Sequence, residues 1–148
     1  MATKHTPYFN FLDALKEQGC PVCFVIKKYA QKFMDDFLYE SVNDPGLRKE
    51  IKESVGFCNR HAWQFHKFGD GFGLGIVYED LMRLITKRLE VVDGSSASLK
   101  AILKQLDKDE QAKKSCIVCK DEKDVEGRYI SVFLENFDDP ELRFSYKT

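Results

Sequence analysis

An all-α protein is predicted, an irregular bundle of about seven or eight helices. Three observations predict it. Apolar residues recur at three-and-four spacing, as in Ile26, Tyr29, Ala30, Phe33, Met34, Phe37 and Leu38. Thr, Asp, Pro and Gly stand where helices start and stop. No stretch between turn signals alternates apolar and polar residues long enough to make a strand.

The elements follow in order. Thr6-Pro7 opens a helix over "YFNFLDALKEQ" that Gly19 closes, because Thr caps, Pro suits the first turn and Gly suits the stop. A second helix runs from Pro21 to about Val42. Asp44-Pro45 caps a third, ending near Gly56, and a fourth begins near Cys58. The fifth extends from about Gly75 to Val92 on a stripe of Ile76, Val77, Leu81, Leu84, Ile85 and Leu89. "DGSSAS" is a polar linker, with Ser98 placed to cap "LKAILKQLDKDEQAKK" as the sixth, and a seventh follows Cys116.

The chain also repeats itself. "CPVC" at 20 to 23 matches "CIVC" at 116 to 119, and "ESVNDPGLR" at 40 to 48 matches "ENFDDPELR" at 135 to 143. Residues 1–92 therefore read as a first unit, and residues 93–148 as a linker, a helix and a second unit, within one compact domain. Counterparts of Cys58 and His61 would fall beyond Thr148. The second unit is thus expected to be incomplete and the chain a fragment of a longer protein.

Composition narrows the function. With 23 basic and 24 acidic residues and no long basic block, the chain is a poor nucleic-acid binder. It shows no signal-type apolar region and no run of ~18 apolar residues, so a cytoplasmic protein is expected. Five cysteines, four of them in two C-x-x-C pairs, point in a reducing compartment to metal or redox chemistry more than to disulfides.

The ligand pattern is the sharpest signal. Structural zinc takes four Cys or His ligands in a tetrahedron, and C-x-x-C or C-x-x-H sets two of them on one face of a first helical turn. Cys20, Cys23, Cys58 and His61 form such a set, with Cys116 and Cys119 as a possible second half-site. At helix N-termini the free N–H groups and the dipole favour bound thiolate. The chain can just close this site: ~30 Å out along the second helix, ~16 Å back along the third, the rest in linking residues or by a bend near Tyr39. A rival pairing joins Cys20 and Cys23 to Cys116 and Cys119, but strands Cys58 and His61. Three thiolates and an imidazole also suit an iron-sulfur cluster, and spacing alone does not separate the two.

Other features carry blander readings. "CPVC" as a thioredoxin-type redox pair lacks its βαβ context. Cys58 as a nucleophile is better explained as a ligand. His66 reads as a surface or packing residue and His5 as part of a frayed terminus. "GDGFGLG" lacks the Lys-Ser/Thr ending of a phosphate loop and follows a helix, so it reads as a turn that lets helices approach closely. Glu79 with Arg83 decorates a solvated face, while Glu40, Asp44 and Arg48, echoed by Glu135, Asp139 and Arg143, read as a cap and a repeated ion pair.

With "CPVC", "GFCNRH" and the recurring "DPGLR"/"DPELR", the chain resembles a family of uncharacterised prokaryotic helical proteins in which C-P-x-C is followed by G-[FL]-C-x-x-H and the unit recurs. The likeness covers nearly the whole chain, though its second half departs by stopping before a G-x-C-x-x-H. The resemblance supports the same ligand set and half-site, and implies no activity. The expectation is a zinc-binding interaction module, with a protein partner or a second copy bound by its helical faces. The alternative is an iron-sulfur redox or metal sensor. An enzyme is disfavoured because four protein ligands close the shell, and no small-molecule substrate is identifiable.

Overall fold

The computed structural model describes residues 4–93, 99–113 and 116–146, and among them there is no strand. The all-α expectation holds. The helices are α1 (Thr6–Ala14), α2 (Pro21–Asp36), a π-helical turn (Phe37–Ser41), α3 (Pro45–Glu53), α4 (Asn59–Lys67), α5 (Gly71–Asp93), α6 (Leu99–Lys113), α7 (Ile117–Glu135) and α8 (Pro140–Tyr146). None of the described helices is long and apolar enough to cross a membrane.

Local chemistry explains most of the boundaries. Asp44 caps α3 by accepting the Leu47 N–H at 2.8 Å, and Asp139 caps α8 by accepting the Glu141 N–H at 2.9 Å. The repeated D-P element is therefore the same device used twice. His5, not Thr6, takes the N-cap of α1. The proposed cap Ser98 lies outside the described residues.

Two boundaries differ from the sequence reading: α1 ends at Ala14, short of Gly19, and α5 starts earlier than Gly75. The α5 helix starts at Gly71, inside the glycine-rich stretch, because Asp70 Oδ1 accepts the N–H groups of Phe72 and Gly73 at 3.1 and 3.0 Å. Gly73 fits because it has no side chain: a Cβ there would stand 2.4 Å from Asp70 Oδ2 and 3.0 Å from Leu38 Cδ2. The second helix does not bend to a stop near Tyr39 but widens into the π turn and runs on to Ser41.

The chain divides into two compact units, which cut across the two sequence repeats. One comprises Met1–Lys32 with Lys120–Thr148, the other Phe33–Cys119. In the first, Tyr8, Phe11, Leu12, Val25, Val125, Tyr129 and Leu142 make a buried core. Tyr129 is fully buried, its ring 6.3 Å from Phe11 and 5.8 Å from Tyr29, and it donates a hydrogen bond to the Tyr29 hydroxyl at 3.2 Å. Burial and the Tyr29 hydroxyl push its own hydroxyl up to about 12. Tyr8 donates to the capping Asp139 at 3.0 Å, so α1 and α8 are joined through a cap.

In the second unit Phe37 meets Phe57 and Phe65 edge-on and Phe57 lies tilted against Phe65, with ring centres 4.3 to 6.3 Å apart. Asp80 of α5 accepts from Arg48 Nε at 2.7 Å and pairs with Lys52 at 3.1 Å, both on α3. Burial would raise the Asp80 carboxyl, but these two cations outweigh it and hold it below the ordinary carboxylate range. The partner of Arg48 is thus Asp80, a residue outside the repeated motif.

Candidate metal centre

The turn before Cys58 is tightly specified. At the end of α3, Val55 N–H donates to Lys52 O at 3.1 Å and Gly56 N–H donates to Ile51 O at 2.7 Å, a Schellman stop. Val55 and Gly56 both take left-handed φ, 54° and 95°. Glycine is the usual occupant of the first position, so the β-branched Val55 is strained there. Gly56 admits no side chain cheaply, since a Cβ would meet Leu81 Cδ1 at 3.0 Å. The hydroxyl of buried Ser54 lies 2.8 Å from Gly56 O. The turn thus delivers Phe57 to the aromatic core and Cys58 to the N-cap of α4.

Cys58 and His61 occupy the N-cap and third position of α4, so both face one side of its first turn. Cys116 and Cys119 stand in the same two positions of α7. The structure brings these pairs together. His61 Nδ1 lies 3.3 Å from Cys58 Sγ, 3.5 Å from Cys116 Sγ and 3.4 Å from Cys119 Sγ, and the two sulfurs of Cys58 and Cys119 are 3.6 Å apart. All four donor atoms fall within 4.8 Å of one another, a grouping that could hold one metal ion. His61 and Cys116 are fully buried, and Cys58 and Cys119 half-buried.

The electrostatics suit a cation. Burial pushes the Cys119 thiol up to about 12, helped by the sulfurs of Cys58 and Cys116, while Arg60 pulls the other way. Burial also acts upward on Cys58, but the amides of His61 and Arg60 and the neighbouring Cys119 and Cys116 outweigh it and lower its thiol. Three crowded sulfurs resist becoming thiolates together unless a positive charge joins them. A thiol beside an imidazole is also the arrangement of a cysteine nucleophile. Here three sulfurs sit about equally near one nitrogen, which fits shared coordination better than proton abstraction.

The sequence-predicted residues divide accordingly. Cys58 and His61 are together, as read from C-x-x-H, but their companions are Cys116 and Cys119, the residues assigned to a second half-site. Cys20 and Cys23, expected as the companions, are exposed and lie in the other compact unit. Neither sequence-derived pairing contains this grouping. Both keep the first C-x-x-C in the site, whereas the grouping that could hold a metal contains the second. A signal is present in the sequence: of three potential ligand pairs, a four-ligand group takes two and leaves one over, and spacing does not choose which.

A family model described as "Family of unknown function (DUF6062)" matches residues 8–148. The chain is 34% identical over 124 residues to an "Uncharacterized 23.9 kDa protein in xynA 3′ region" from Caldicellulosiruptor sp. (strain Rt8B.4), a match covering 82% of this chain and 55% of the relative. It therefore spans about half the length of that relative. No solved structure matches.

Proposed function

The chain belongs to the family of unknown function DUF6062, and we propose that Cys58, His61, Cys116 and Cys119 hold a single zinc ion that staples the start of α4 to the start of α7. The observation that carries this is the mutual approach of four donor atoms within 4.8 Å. Zinc–sulfur bonds of about 2.3 Å and zinc–nitrogen bonds of about 2.0 Å give tetrahedral ligand–ligand edges of roughly 3.5–3.8 Å. Four of the six separations, at 3.3 to 3.6 Å, come close to those edges, and all six lie within 4.8 Å. An iron-sulfur cluster spreads its protein ligands over several irons facing apart, which this compact group suits less.

Three thiolates and one Zn²⁺ leave a net charge of about −1, which Arg60 beside Cys119 would offset. With all four positions filled by protein, the ion is structural, and catalysis at the metal is disfavoured. The role that remains is a zinc-stabilised helical module that binds a protein partner or another copy. The large exposed side chains Trp63 and Phe72, 61% and 80% accessible, support an interaction surface around α4 and the start of α5. Cysteines that are all free suit a reducing compartment, the cytoplasm.

Metal analysis of anaerobically purified protein tests the site. The expected result is a colourless preparation with zinc bound, lost in Cys116→Ser. A brown preparation containing iron and sulfide would establish the cluster instead.

A further inference from the structure

We infer that the open face at the end of α7 is a docking groove for a second copy of this chain, filled by the outward face of that copy's α4. The inference deepens the reading of the chain as an interaction module and rests on it. The repeat, the charge of the groove and the residues on α4 carry it.

The repeat shows how such a face is covered when it has a partner. "CPVC" and "CIVC" align α2 with α7, and the Asp-Pro blocks align the two helices again after a shift of one residue. The π turn at Phe37–Ser41 takes up that extra residue, because its hydrogen bonds span five positions instead of four. Met34, Leu38 and Val42 therefore correspond to Ile130, Leu134 and Phe137. The first three are 1%, 6% and 6% accessible, and their counterparts 42%, 66% and 56%. In the first repeat two helices supply the cover: the Phe65 ring of α4 stands 5.8 Å from Phe37, and Leu38 lies close to Gly73 of α5. The counterpart face on α7 keeps the apolar residues of a covered surface without the cover.

The groove also has a sign. A cleft of about 700 Å³ opens beside Leu134 and Phe137, with Lys4, Glu135, Asp138 and Asp139 also lining it. Lys4 is engaged by Asp139 at 3.1 Å and Glu141 at 2.9 Å. Glu135 and Asp138 are exposed carboxylates with no cation beside them among the described residues. The matching occupant is a helix that carries a large apolar side chain with a positive charge one turn away.

The chain's own α4 offers that pair. Its inward face buries Phe65, while on the outward face Trp63 is 61% accessible and Lys67, four residues on, is exposed. The indole suits the cleft and the ammonium suits Glu135 or Asp138. Helix α4 would thus cover its own α2 with Phe65 and a second copy's α7 with Trp63. The three α7 side chains and Trp63 expose roughly 500 Å² between them, so two such contacts exchanged by a pair of copies reach the ~1,000 Å² of a specific interface.

The test is sedimentation equilibrium of the full chain, purified anaerobically, with metal content measured on the same samples. Wild type is expected to self-associate. Leu134→Glu and Trp63→Ala, both at exposed positions, should each weaken association roughly tenfold or more while keeping helical content and metal. Should Trp63→Ala lose metal, Lys67→Glu, further from His61, takes its place. An equimolar mixture of the two variants should associate again, since one copy keeps the groove and the other keeps its α4 face. A monomeric wild type would overturn the inference. So would association that survives Trp63→Ala, or that does not return on mixing, because either result means that two α7 faces meet each other or that another surface is used. Wild type that associates without zinc would instead strike the Cys58 group, so the two failures are read separately.

Discussion

Cys58 and Cys119 stand 61 positions apart in sequence and bring their sulfurs to 3.6 Å. That is too far for a disulfide, whose bond is about 2.05 Å. It is close to the separation of two thiolates on one ion.

Acidity follows from that contact. In the metal-free chain burial pushes the Cys119 thiol up to about 12, so the proton is held at neutral pH and zinc must displace it. Apparent zinc affinity should therefore rise as pH increases from 6 to 8, with at least one proton, that of Cys119, released per ion, read by calorimetry in buffers of different ionisation heat. An affinity flat across that range would contradict thiolate ligation.

The same shift has a stability sign. A thiol whose folded pKa is raised contributes stability that is complete below its unfolded value of about 8.5 and is lost as pH climbs toward the folded value. The metal-free chain should thus lose stability between about pH 9 and 12, measured by urea midpoints, and zinc-loaded protein should lose much less.

Gly56→Ala should cost about 1–2 kcal/mol in urea unfolding, from left-handed φ at 95° and contact with Leu81 at 3.0 Å. It should also weaken zinc binding, because this turn aims Cys58. An unchanged midpoint would show that the turn relaxes freely.

Arg60→Gln should leave the helical content unchanged and weaken zinc binding by roughly 10-fold or more, as loss of an outer charge partner does elsewhere. The measurement is competition with a chromophoric chelator. Equal affinity in the two proteins would remove Arg60 from the site.

The two D-P caps should differ in weight. Asp44→Ala removes one cap bond to Leu47 and should cost about 1 kcal/mol. Asp139→Ala should lower the melting temperature further, because Asp139 also receives the Tyr8 hydroxyl and pairs with Lys4 at 3.1 Å. Equal losses would mean that the Tyr8 and Lys4 contacts contribute nothing.

Sequence and structure agree where the chemistry is local. Asp44 before Pro45 marks α3 because a carboxylate and a fixed φ act within four residues, and the Asp139 copy does the same for α8. The start of α5 differs because glycines read as a loop, while the Asp70 carboxylate, collecting two N–H groups, outweighs their poor propensity. Ligand spacing told which donors share a helical turn: Cys58 with His61, and Cys116 with Cys119. It did not tell which turns meet, since that depends on which buried side chains pack together, such as Phe65 and Val118, both fully buried, and the ligand spacing does not specify their neighbours.

The pairing of α4 with α7 also makes a ring. With an ion bound, the backbone from His61 to Cys116, 55 positions on, is closed on itself through a coordinate bond instead of a covalent one. A protease cut anywhere in that ring would leave two pieces still tethered, and a chelator would let them drift apart. Such a clasp can form only after residue 119 has left the ribosome, so the first half of this protein is synthesised with its buried histidine still waiting for its sulfurs.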